Sequence, residues 1–192
     1  MAASDIHPQR SHPQSPGAYE CLPAPALLAR LDEEIHRAQR HATQLSCLLV
    51  AIDDLDGIAP AQGEELREQT LAYVSEALAR ELRRFDRIGR ASERELLIVL
   101  PGADGPRGEI VARRVLDRLR TIKVEMSGTR RALHVSVGLA AWRDDRSAEE
   151  LLRRTRSAAN LGNGNQPFPG PEGDPESPLR AAVEPPSSRM LR

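Results

Sequence analysis

Lysine is nearly absent from this sequence: Lys123 is the only one, although lysine and arginine together number 27. A Schiff-base or phosphate-loop lysine would have to be that residue, and no G-x-x-x-x-G-K-[ST] surrounds it. Thiols are scarce too. Cys21 and Cys47 are the whole set, which excludes a disulfide framework and a cysteine-rich zinc site. So few thiols, with no signal-peptide pattern, lead us to expect a cytoplasmic protein. Aromatic residues make up 3%, too few for a base-stacking platform of the single-strand-binding type. A net charge of −1 lacks the basic excess of a general nucleic-acid binder, so no nucleic-acid partner is expected. No apolar run approaches the roughly 18 residues of a membrane span, so no membrane insertion is expected either.

What is present is enough for one domain, since 192 residues is close to the roughly 150 typical of a single core. Proline marks its limits: five lie in residues 1–25 and seven in 166–192. Residues 1–21 and the Pro-rich tail 166–192 are expected to be disordered, because their composition buries too little to offset ordering entropy. Between them, 22–165 read as one folded unit. Ala26 to Thr43 has a helical apolar stripe, and LSCLLVAI (45–52) is a continuous apolar run suited to a strand buried on both faces. A Gly- and Pro-containing loop (53–62) precedes a long amphipathic helix over Gly63–Arg84. Two apolar stretches, Asp86–Ala91 and Glu95–Leu100, are separated by three residues and predict a β-hairpin. A helix carrying Ala112, Val115, Leu116, Leu119 and Ile122, a strand over Leu133–Trp142 and a helix over Ser147–Asn160 complete the unit. The order α-β-α-β-β-α-β-α implies an α/β fold: a mixed central sheet with flanking helices, mainly on one face, of the ferredoxin-like, nucleotide-cyclase palm type.

Three stretches carry a resemblance to a known family. LSCLLVAIDDLDGI resembles a first strand followed by a D-I-D-x-F-K turn. RRFDRIGRASERELLIVLPGAD resembles the hairpin that normally bears G-G-[DE]-E-F and then L-P-G-A-D. HVSVGLA is similar to a later strand, normally S-I-G-[IV]-A. Together they make residues 22–165 resemble the GGDEF domains of bacterial diguanylate cyclases. An active member of that family joins two GTP molecules into cyclic di-GMP where two domains meet. Phosphoryl transfer of this kind needs oxygen ligands for Mg²⁺ at the first strand's end and in the hairpin turn. It also needs glycines in that turn, so that the backbone can approach the nucleotide.

The resemblance implies that this equipment is missing. Ala51 stands where the strand-end metal aspartate belongs, and Ser92 and Glu93 replace the two glycines. Arg94 replaces the acidic third residue, while Glu95 keeps the acid of the fourth position. Ala59 and Pro60 replace the Asn-Asp pair whose asparagine reads guanine, and Glu68 matches a guanine-reading aspartate. The expectation is a degenerate domain that is not an enzyme, with no catalytic residue, no metal and no Mg²⁺ cofactor. Asp53, Asp54 and Asp56 serve as substitute ligands only if the register slips by two, which leaves Arg94 in place; otherwise they belong to a solvated acidic loop.

A product-inhibition motif of the family, R-x-x-D, is matched by Arg83-Arg84-Phe85-Asp86 at the family's interval before Ser92. An arginine fork can bond guanine O6 and N7 or meet a phosphate, and a carboxylate can accept from the guanine N1–H and N2–H₂. Arg114 best matches the further arginine that the family brings from the next helix, with Arg113 its neighbour in another register. The expected ligand is therefore cyclic di-GMP, and the expected role a non-catalytic receptor acting through a protein partner or a homodimer. Two alternatives stay open: a nucleotide-independent partner of an active cyclase or other protein, and a residual half-site using Asp53 or Asp54 with Glu95. His36 and His41, five apart, do not share a helix face and make no metal pair. His134 reads as a structural strand residue and Cys47 as a small buried hydrophobe. The run Arg153-Arg154-Thr155-Arg156, with Arg130-Arg131, reads as a solvated helix surface or a basic face.

Overall fold

The computed structural model describes residues 21–53, 55, 63–126, 129–145, 147–161 and 168–169. Helix α1 (Ala24–His41) begins with Pro25 in its first turn and ends with Arg40 and His41 against its carbonyl end. Ala42 then leaves the helix in the left-handed region (φ 49°). The chain continues through β1 (Leu45–Ile52), α2 (Gly63–Ala79), β2 (Arg87–Arg90) and β3 (Glu95–Pro101). Helix α3 (Gly105–Thr121) follows, N-capped by Asp104, whose side chain accepts from the Arg107 N–H at 2.9 Å. Strands β4 (Lys123–Met126), β5 (Thr129–Ala132) and β6 (Val135–Ala141), helix α4 (Ala148–Leu161) and β7 (Phe168–Pro169) complete the order.

One sheet runs β2-β3-β1-β6-β7, antiparallel at each pair except β6–β7, which is parallel. Its central strand β1 is buried on both faces and divides the molecule. Leu48, Val50 and Ile52 point into a core completed by Leu71, Val74 and Leu78 of α2 and Val111, Val115 and Leu119 of α3. Leu45, Cys47 and Leu49 point the other way, into a core completed by Leu27, Leu31 and Ile35 of α1 and Leu151 and Leu152 of α4. The helices are thus shared two and two between the faces, not gathered on one. A strand apolar at every position requires this, because either face left bare would put leucines in water.

Four further differences from the sequence reading have local causes. Helix α2 stops at Ala79, five residues before the expected end at Arg84. The Glu81 N–H turns back to Leu78 O and the Leu82 N–H to Ala79 O, and the Arg83 N–H is taken by the Asp86 carboxylate at 2.7 Å. The two-stranded hairpin β4–β5 was not expected, because four-residue segments rich in charge show no clean period of two. Residues 168–169, assigned to a disordered tail, pair with Gly138 and Leu139 of β6, where an uncovered strand edge offers unpaired backbone groups. His134 lies just ahead of β6, not within it, and is exposed.

Position 138 sets how closely α4 can lie on the sheet. A Cβ there would sit 2.2 Å from the Ala159 nitrogen and 2.3 Å from the Thr155 oxygen, both backbone atoms of α4. Gly138→Ala is therefore expected to destabilise the fold by about 3 kcal/mol or more, because a helix must move. Gly105→Ala, where nothing lies within 4 Å, should stay within about 0.5 kcal/mol of the parent. Denaturant titration of both variants checks the pair.

Candidate functional site

The β1–β3 register places Ala51 directly opposite Glu95, and on its other side Ala51 is opposite Ser136 of β6. Ala51, where the family resemblance places the strand-end metal aspartate, and Glu95, the acid next to the Arg94 position, are thus cross-strand neighbours, on the face covered by α4. Glu95 is almost buried (9% exposed). Its two oxygens accept from Arg156 of α4, Nε at 2.9 Å and Nη2 at 2.7 Å, a two-bond fork. Burial pushes the Glu95 carboxyl up, but the hydrogen bonds from Arg156 and Ser92 and the charges of Arg156 and Arg94 outweigh it and hold the group below the ordinary carboxylate range. Asp53, two residues beyond Ala51, accepts from the Ser136 hydroxyl at 2.9 Å. Asp54, Asp56 and Ala59 lie outside the described residues.

Residues 92–94 close the hairpin with no positive φ, so the turn forms without the glycines of the family motif. The Ala91 N–H donates to Glu95 O at 2.8 Å. Ser92, Glu93 and Arg94 line a cleft of about 230 Å³ together with Leu55 and Arg67. Across the hairpin, Glu68 of α2 is engaged as Glu95 is: Arg90 donates to both its oxygens, at 2.6 and 2.7 Å. That fork draws the Glu68 carboxyl below its ordinary value. Cys21, Leu71, Ser75 and Leu96 complete a second cleft of about 220 Å³ beside this pair. Among the described residues, no group of three or more His, Cys, Asp or Glu is placed to hold a metal ion.

The second group of predicted residues lies at the far end of α2. Arg83 to Asp86 form a tight turn in which the Asp86 N–H donates to Arg83 O at 3.0 Å and the Arg83 N–H to Asp86 Oδ2 at 2.7 Å. Arg87 clamps the same turn, its Nη1 donating to the carbonyls of Arg84 and Asp86 at 2.9 and 2.8 Å. Asp86 is only 4% exposed. Burial pushes its carboxyl up, against the Arg83 N–H and the charges of Arg83, Arg114 and Arg87. Its first task is to hold the turn, beyond the direct base contact expected from sequence. Arg83 and Arg84 are exposed. Helix α3 brings Arg114 to this turn, 3.8 Å from Glu81. Arg113, about 100° further round the helix, is exposed to solvent.

Other expectations change with tertiary packing. Arg154 bonds Asp145 and the Ala141 carbonyl, and Arg156 bonds Glu95, so the run 153–156 does not form a basic face. Arg90 and Arg156 were not recognised as site residues. Their partners lie 22 and 61 positions away, and no sequence spacing signals such a pairing. Cys47 is fully buried, which pushes its thiol up, in keeping with a small hydrophobe. No helix among the described residues is long and apolar enough to cross a membrane.

The Glu95–Arg156 fork makes a pH-dependent prediction. Because the folded-state pKa of Glu95 is lowered, its contribution is complete above the unfolded value near 4.3 and is lost as pH falls through the folded value. Glu95→Gln should cost about 1–2 kcal/mol at pH 7, reduced by the partial exposure of Arg156. The difference from the parent should shrink below about pH 4, which denaturant melts at pH 7 and pH 3 measure.

Comparison with known proteins agrees with this geometry. The family model for the diguanylate cyclase GGDEF domain matches residues 25–162. Protein y4lL of Sinorhizobium fredii is 30% identical over 128 residues, which is 64% of this chain but 15% of that protein. This chain therefore spans only a small part of that relative's length. Diguanylate cyclase SiaD of Pseudomonas aeruginosa, solved in complex with its activator SiaC, has a TM-score of 0.70 at 25% identity, covering 77% of this chain and 58% of SiaD. The GGDEF domain of DgcB from Caulobacter crescentus, solved in complex with c-di-GMP, has a TM-score of 0.69 at 17% identity, covering 87% of this chain and 98% of that one. With the family model matching residues 25–162 of the fold described above, this chain belongs to the diguanylate cyclase GGDEF-domain family.

Proposed function

We propose that this domain is a non-catalytic receptor for cyclic di-GMP, binding the dinucleotide at the turn Arg83–Asp86 with Arg114 and passing the signal to a protein partner. The observation that carries the proposal is the contrast between the two sites. At the substrate site, position 51 offers no side-chain oxygen ligand, and the two acids that match family positions, Glu68 and Glu95, are held by guanidinium forks. Arg94 adds a cation beside them, its charge felt at Glu95. Magnesium does not fit this set, since it requires free oxygen ligands and is repelled by neighbouring cations.

The turn has the opposite character. Its backbone is closed by four hydrogen bonds, its exposed arginines face solvent, and Arg114 stands by on α3. Guanidinium groups suit guanine edges and phosphates, and a turn whose backbone is already fixed lowers the ordering cost of binding. DgcB, whose GGDEF domain was solved with c-di-GMP, supports this choice of ligand. The complex of SiaD with its activator favours one second reading, a partner of other proteins that needs no nucleotide.

Calorimetric titration of the full chain with cyclic di-GMP tests the proposal. Binding is expected in the parent, with Arg83→Ala weakening it at least tenfold, about 1.4 kcal/mol. Arg156→Ala should leave the affinity unchanged. No heat with the parent would remove the receptor reading and leave the nucleotide-independent one. Incubation with GTP and Mg²⁺ should yield no cyclic di-GMP; turnover abolished by Asp53→Asn would overturn the inactive assignment.

A further inference from the structure

Phe85 is placed where packing gives no reason for an aromatic ring. The chain has two phenylalanines, two tyrosines and one tryptophan, and this phenyl group is 72% exposed. It contributes little to either core. Nor does it sit on a loose loop, because it occupies the third position of the turn closed by Arg83 and Asp86. The carbonyls on both sides of it, those of Arg84 and Asp86, accept from Arg87. Its Cα is therefore held on a fixed frame. On the facing helix, Ile110 is 66% exposed and lies one turn ahead of Arg114, on the same side of α3.

A flat apolar face between arginines has a definite chemistry. The guanidinium forks of Arg83 and Arg84 bond the polar edge of a base or a phosphate, and they leave the base's π face uncovered. An aromatic ring in the same turn covers that face, and stacking of this kind tolerates any purine while the fork selects among them. We propose that Phe85 is the base-stacking residue of this site: a purine of the bound dinucleotide lies against the phenyl ring while Arg83 reads its edge. The proposal rests on the receptor reading and adds to it a face contact that the arginines cannot make.

Titration of this 192-residue chain with cyclic di-GMP, comparing the parent with Phe85→Leu, Phe85→Trp and Arg83→Ala, tests it. Leucine keeps the apolar surface and removes the π face. Phe85→Leu is expected to weaken binding about tenfold or more, and Phe85→Trp to match or exceed the parent. In Phe85→Trp, ligand should quench the introduced indole beyond the signal of Trp142 alone. Melting temperatures of the unliganded variants should equal the parent's, since the ring is exposed. Should Phe85→Leu bind as tightly as the parent while Arg83→Ala does not, stacking is overturned and the receptor reading stands. Absence of binding in the parent overturns both.

Discussion

The architecture depends on burying β1 on both faces. Its residues alternate between two cores, and each core needs its own pair of helices. This two-sided burial fixes the register of β1 against β3 and β6, because a slip of one residue would exchange the side chains of the two cores. The same register brings Ala51, Glu95 and Ser136 together at one end of the sheet. Gly138 then lets the backbone of α4 lie close against β6, which delivers Arg156 to Glu95. The site is thus a consequence of core packing, transmitted through a register and a helix-to-sheet distance.

Arginine has an unusual role at that end of the molecule. A carboxylate at 9% exposure needs a compensating cation, which can be a metal ion or a side chain. Here Arg156 supplies it at Glu95 and Arg90 at Glu68, each through two parallel hydrogen bonds. A guanidinium attached to the fold satisfies the acid permanently and demands no third ligand. In our reading, this is how this end of the molecule tolerates the lack of an acid at position 51: Glu68 and Glu95 persist as structural ion pairs.

The arginine turn follows a different logic. Asp86 competes with helix α2 for the Arg83 N–H, ends the helix early and folds the next residues into a turn. The buried carboxylate shapes the backbone, while the exposed side chains on that backbone remain available. One residue therefore links helix termination, the start of β2 and the presentation of Arg83, Arg84 and Phe85.

Much of this was legible in the sequence. The continuous apolar run 45–52 announced a strand covered on both sides, the 3.6-residue spacings announced four helices, and the family motifs located the hairpin and the R-x-x-D turn. Where those signals were weak, they misled: the end of α2 at Ala79, the polar hairpin β4–β5, and the pairing of 168–169 all depend on backbone hydrogen bonds, which hydropathy does not record. That Ala51 and residues 92–94 depart from the motifs the chain resembles is a reading of the sequence alone. That Glu95 meets Arg156, that Glu68 meets Arg90, and that Arg114 lies beside Glu81 while Arg113 is exposed were decided only by tertiary structure. Such pairings join side chains on separate elements, and their distances depend on how closely a helix can approach the sheet, which no single local segment encodes.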